Sequence, residues 1–120
     1  MNILINALII LIALLHLWFL ILEMFLWNKP IGMKTFHLSA DFAKASANLA
    51  ANQGLYNGFL SAGLMWSVLT TNAEQAIQLK IFFLCCVAIA GIYGAVSVNR
   101  RIFFIQGLPA IITLILIIMQ

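Results

Sequence analysis

The sequence predicts an all-α integral membrane protein: one domain built as an antiparallel four-helix bundle of spanning helices. Three observations carry this. Of 120 residues, 65% are hydrophobic and only 8% are charged, where a typical soluble domain has about 25% charged residues. The apolar residues fall into four long runs, and a span needs about 20 of them. The polar connectors between the runs are short, which sets successive helices antiparallel.

The first span covers about residues 3–27, a nearly continuous run of Leu, Ile, Phe and Trp interrupted by Asn6, His16 and Glu23. It has no basic n-region and no small-residue cleavage site, and its apolar run is too long for a signal peptide. It is therefore read as a permanent span. Trp27 followed by Asn28-Lys29-Pro30 forms an exit signal: an interfacial aromatic, a cation and a helix-stopping proline. The connector, 28–40, is polar and turned, with Lys29, Pro30, Gly32 and Lys34. Ser39 or Asp41 is placed to cap the next helix.

The second span, about 41–70, is longer than a bilayer requires, so its first turns, with Lys44, are expected to reach into the headgroup region. Thr71 to Gln75 form a polar turn. The third span covers about 76–98, with Lys80 near its start placed to snorkel. Asn99-Arg100-Arg101 is the next turn, and the fourth span covers about 102–119. Pro109 lies inside that last span, where a missing N–H frees a carbonyl and kinks the helix.

Charge placement predicts the orientation. Lys29, Lys34, Lys44, Arg100 and Arg101 fall on one side, and Lys80 alone falls near the other. The positive-inside rule then puts the loops 28–40 and 99–101 in the cytoplasm and both termini outside. The expected location is a bacterial inner (cell) membrane, with the lipid bilayer as the principal partner. Nucleic acid is excluded as a partner, because six Lys and Arg residues form no basic stripe. Cys85 and Cys86 are neighbours in an apolar run. Their side chains point about 100° apart, so they read as reduced core thiols. No second His or Cys stands at ligand spacing from His16, so no metal site is expected, and no cofactor is predicted from the residues.

The unusual stretch is Asn48 to Ala62, NLAANQGLYNGFLSA, in the second span. Polar side chains are costly in hydrocarbon and face a bundle interior or a cavity. Lys44, Asn48, Asn52 and Tyr56 are four apart and make one stripe; Gln53 and Asn57 make a second beside it. Gly54, Gly58 and Ala62 form a small-residue face that admits a close neighbouring helix. At ~1.5 Å per residue, the cytoplasmic half of the bundle gathers Glu23 opposite Asn48 or Asn52, and His16 opposite Tyr56 or Asn57. Tyr93 and Gln106 reach the same layer, below Arg100 and Arg101 at its mouth. Interhelical hydrogen bonds alone explain the Asn and Gln residues about as well as ligand contact does. Glu23 is the exception, since a carboxylate in a span needs a proton or a cation.

Two resemblances follow from these residues. His16-(x)6-Glu23-Met24-Phe25-Leu26-Trp27, then LAANQGLYNGF over 49–59, then Ala62-Gly63-Leu64 resemble the small bacterial membrane proteins grouped as domain of unknown function 1304. The resemblance covers essentially the whole chain and implies a four-span membrane protein with no assigned activity. A weaker one joins Lys44-Ala-Ser-Ala-Asn48-Leu-Ala-Ala-Asn52 to the membrane-associated eicosanoid and glutathione metabolism proteins. It implies a cytoplasmic-side glutathione site between helices and a trimer. Lys44 stands where those families carry Arg, and Ala51 where they carry Glu.

Several functions fit these residues. In one, a pocket in the cytoplasmic half binds a small amphipathic or lipophilic molecule. Glu23 and His16 are the acid/base or orienting candidates; Asn48, Asn52, Gln53, Tyr56, Asn57, Tyr93 and Gln106 supply hydrogen bonds, and Arg100 and Arg101 an anion contact. In the second, an oligomer, dimer or trimer, transports small molecules coupled to protons through Glu23. In the third, glutathione is the cofactor of a membrane enzyme. In the fourth, the chain is a structural or accessory subunit whose polar residues only specify packing. The residues leave open whether there is enzymatic chemistry at all.

Overall fold

A computed structural model describes residues 1–120. The fold is all-α: helices α1 (Asn2–Met24), α2 (Pro30–Phe36), α3 (Ala40–Leu69) and α4 (Ala73–Ser97), a π-helical turn (Phe103–Gly107) and helix α5 (Leu108–Ile118). Two of these, α1 and α4, are long and apolar enough to cross a membrane. The helices start and stop close to the expected positions, with two differences. α1 stops at Met24 and leaves Trp27 in the following turn, and the connector contains a helix of its own, α2.

The chain divides into two compact units, Leu14–Ser61 and a second made of Met1–Ala13 with Ala62–Gln120. In the first, the end of α1 packs antiparallel against α3. The contact is set by glycines. A Cβ on Gly54 would stand 2.7 Å from Met24 Cγ and 3.2 Å from the Leu20 carbonyl oxygen, and one on Gly58 would stand 2.7 Å from Leu20 Cδ1. Small residues on α3 therefore receive the side chains of α1 one turn apart, the close approach such spacing permits. Ser39 caps α3, its Oγ accepting from the Phe42 N–H at 3.2 Å.

In the same unit α2 folds back on the end of α1. Gly32 is buried directly against the Leu26–Trp27 backbone. The Trp27 ring lies 4.9 Å from that of Phe36, and its indole N–H donates to Ser46 Oγ at 3.0 Å. His37 ends α2 in the left-handed region (φ 56°), its N–H returning to the Met33 carbonyl. That is the usual way a helix stops without a carbonyl left over.

In the second unit Asn72 caps α4, its side chain accepting from the Gln75 N–H, so the expected polar turn is a helix cap. Ile5, Ile9, Leu64, Leu84, Val87 and Ala110 form the buried apolar core. Gly91 of α4 lies against the backbone of Gly107, and Gly94 against Ile102. Pro109 explains the π-helical turn. Proline cannot donate to the carbonyl four residues back and its ring crowds it. The chain widens instead by one residue, with the Leu108 N–H reaching the Phe103 carbonyl. Cys85 and Cys86 are half-buried free thiols.

Candidate functional site

Asn57 Nδ2 donates to Glu23 Oε1 at 2.5 Å. Both side chains are placed by the α1–α3 glycine contact. Glu23 occupies the last turn of α1 beside Gly54, its Cβ 3.0 Å from where a Gly54 Cβ would be. Asn57 lies three residues further along α3, nearly one helical turn. Asn57 is buried at 6% exposure, and Glu23 is half-buried. The pair is therefore an amide held inside the unit and a carboxylate at its margin.

The other expected site residues of this unit spread out around the pair. His16, two turns before Glu23 on α1, is fully buried and stands edge-on to Phe19 with ring centroids 5.6 Å apart. Tyr56 is exposed, with its ring against Phe59. Asn48, Asn52 and Gln53 are exposed on α3. Glu23 thus pairs with Asn57 rather than with Asn48 or Asn52. The reason is register. Asn52 and Asn48 precede Asn57 by about 8 and 14 Å along the helix axis, toward the part of α3 where Ser46 meets Trp27. In the second unit Tyr93, Arg100 and Arg101 are exposed and Gln106 is half-buried.

A second polar contact links residues that the sequence reading treated separately. Lys80 Nζ donates to Asn6 Oδ1 at 2.7 Å. The signal was present: Asn6 interrupts the start of apolar α1, and Lys80 interrupts the start of apolar α4. Those two starts meet within one compact unit.

Removing the Glu23 partner has a defined cost. Asn57→Leu strands the carboxylate beside an apolar side chain, and an unmade hydrogen bond to a partly buried polar group costs about 1–3 kcal/mol. Thermal unfolding of Asn57→Leu and of the double variant Glu23→Leu/Asn57→Leu should show the single change to be the more damaging. With Glu23→Leu measured as well, a double-variant loss equal to the sum of the two single losses would mean that the two side chains are not coupled.

The family described as protein of unknown function (DUF1304) matches residues 10–118. The "Uncharacterized protein YpaA" of Lactococcus lactis subsp. lactis (strain IL1403) is 30% identical over 118 residues, covering 96% of this chain and 97% of that protein. No solved structure matches the chain. With nearly its whole length matched, the chain belongs to the DUF1304 family of proteins of unknown function.

Proposed function

We propose that the chain is a bacterial inner-membrane protein with four spans, formed by α1, α3, α4 and the last helical segment. In this reading it binds a small amphipathic molecule whose polar head meets Glu23. Two facts favour the membrane. The apolar helices are mostly uncovered: 28% of the most apolar stretch of α1 and 22% of that of α4 are buried, whereas a core helix of a soluble protein is buried nearly all round. Large apolar side chains are exposed along the chain, from Ile3 and Leu11 to Phe82, Val96 and Ile118, a surface that water does not tolerate in a monomer. The bias of basic residues toward the loops 28–40 and 99–101 favours a cytoplasmic side for those loops by the positive-inside rule.

The Glu23–Asn57 pair carries the binding reading. A carboxylate inside an apolar helix is costly, and functional use is its default explanation. Asn57 orients it from behind, and Tyr56, Gln53 and Asn52 stand exposed on the same helix to meet a polar head. A molecule with a cationic or hydrogen-bond-donating head and an apolar body matches this arrangement, the head on the carboxylate and the body along the uncovered helix faces.

The test is thermal unfolding of the detergent-solubilised protein with a series of alkyl amines and alkyl alcohols. A ligand at 100 times its Kd stabilises by about 2.7 kcal/mol. Glu23→Gln should melt near the wild type and lose the shift. A variant that melts much lower while keeping the shift would reduce Glu23 to a packing residue.

A further inference from the structure

We propose that a second copy of this chain packs against the outer face of α3, along a seam of Asn48, Asn52, Leu55 and Phe59, with the Asn52 amides of the two copies hydrogen-bonded to each other. The inference rests on the membrane part of the reading above and is independent of the ligand. The seam follows from position on the helix. At about 100° per residue, Asn48, nine residues before Asn57, stands on the opposite side of α3 from the face that meets α1. Asn52, Leu55 and Phe59 follow at steps of four, three and four residues. That is the 3.5-residue repeat by which two parallel helices keep one line of side chains in contact. All four side chains are exposed, Leu55 at 42% and Phe59 at 55%.

Depth makes that exposure costly. Helix α3 has 30 residues, and a span takes about 20. Any such stretch of Ala40–Leu69 contains residues 50–59, so Asn52 lies in the hydrocarbon whichever part of α3 forms the span. An amide there has no water to bond with, and polar side chains in spans turn to a protein partner or a cavity. The chemistry of the seam names the partner. An Asn side chain is donor and acceptor at once, so the amide complements itself, and the four seam residues carry no charge that would hold two copies apart. Copies inserted in the same orientation are related by an axis along the membrane normal. Each residue then lies at the depth of its own counterpart, amide against amide at Asn52 and apolar against apolar at Leu55 and Phe59. Such self-matching is what a symmetric contact requires. Lipid acyl chains offer the amides nothing. Gln53 and Tyr56 lie between the seam and Asn57 on the helix and stay with the ligand, so Asn52 alone is drawn from that group.

Disulfide crosslinking and energy transfer between copies of the full chain in phosphatidylcholine liposomes test this. In a Cys85→Ser/Cys86→Ser background, Leu55→Cys should crosslink into dimers on mild oxidation. Gln53→Cys, exposed at nearly the same depth but turned off the seam, should not. Energy transfer between donor- and acceptor-labelled copies, followed as lipid dilutes them, reads the affinity. Asn52→Leu should weaken association about threefold, the effect of one interhelical hydrogen bond of average strength. Asn52→Gln, which keeps an amide, should stay near the wild type. Asn52 is exposed, so these changes leave the packing within each copy intact. Equal crosslinking at positions 53 and 55, or wild-type affinity in Asn52→Leu, overturns the seam. A chain that inserts and stays monomeric overturns this proposal alone. A chain that does not enter the liposomes overturns the membrane reading and this inference with it.

Discussion

Gly91→Ala should destabilise the protein by about 3 kcal/mol, the upper end of what overpacking costs, and should lower the thermal midpoint by many degrees. The added methyl group would meet backbone: the Gly107 nitrogen and Cα, with the Gln106 carbonyl carbon at 3.2 Å. No rotamer change relieves that contact, so α4 and the π-helical turn must separate, and Ile102, packed on Gly94 one turn away, moves with them. The partner position is the control. A Cβ on Gly107 meets the Phe103 ring at 2.9 and 3.3 Å, a side chain that can swing. Replacing Gly by Ala in a helix also gains up to about 1 kcal/mol, so Gly107→Ala should melt near the wild type. Thermal unfolding of the two variants in one detergent checks this asymmetry. Equal midpoints would show that the backbone contact does not hold these helices.

Gly32→Ala should be nearly as costly, about 2–3 kcal/mol by the same overpacking argument, but its damage should stay local. The new Cβ would collide with the Leu26 carbonyl oxygen and stand 2.7 Å from the Leu26 carbonyl carbon and 3.0 Å from Trp27 Cα. Helix α2 must lift from the end of α1. That breaks the Trp27–Phe36 ring contact and loosens the Trp27–Ser46 hydrogen bond. Hydrogen exchange should therefore accelerate across 26–37 while the α4–α5 amides keep their protection. A Trp18→Phe/Trp66→Phe background isolates Trp27, whose emission should shift to the red. Unchanged protection at 26–37 would refute the docking of α2.

Much of this architecture is readable from residue types. The apolar runs, the Ser39 and Asn72 caps, the Gly54–Gly58 face and the break near Pro109 all follow from local rules, because each depends on neighbours within about four positions. The partner of Glu23 does not. It depends on how far α3 slides along α1, where Gly54 and Gly58 meet Glu23, Met24 and Leu20, and no local rule states which residues of α1 those glycines face. The Gly91–Gly107 seam was hidden for a related reason. Gly107 has no second small residue four positions away and Gly91 has only Ala95, so no GxxxG spacing marks the seam. The Asn6–Lys80 contact joins residues 74 apart and could be anticipated only by matching helix ends.

The π-helical turn has a consequence for the faces of the last segment. Each α-helical residue advances the chain by about 100°, and the turn at Phe103–Gly107 takes up one residue more than an α-turn would. Side chains before and after it are therefore out of phase by about that angle. A helical wheel drawn straight through 101–118 would assign the wrong neighbours on one side of the turn. The segment behaves as two short faces joined by a phase slip: Ile102 and Gly107 keep to α4, while Ala110 and Thr113 can seek the core on a setting of their own. A one-residue deletion at Phe104 or Ile105 would remove the slip but set Pro109 in a plain α-helical turn, where its ring crowds a carbonyl, so the extra residue is the length of chain that lets this segment hold both its faces and its proline.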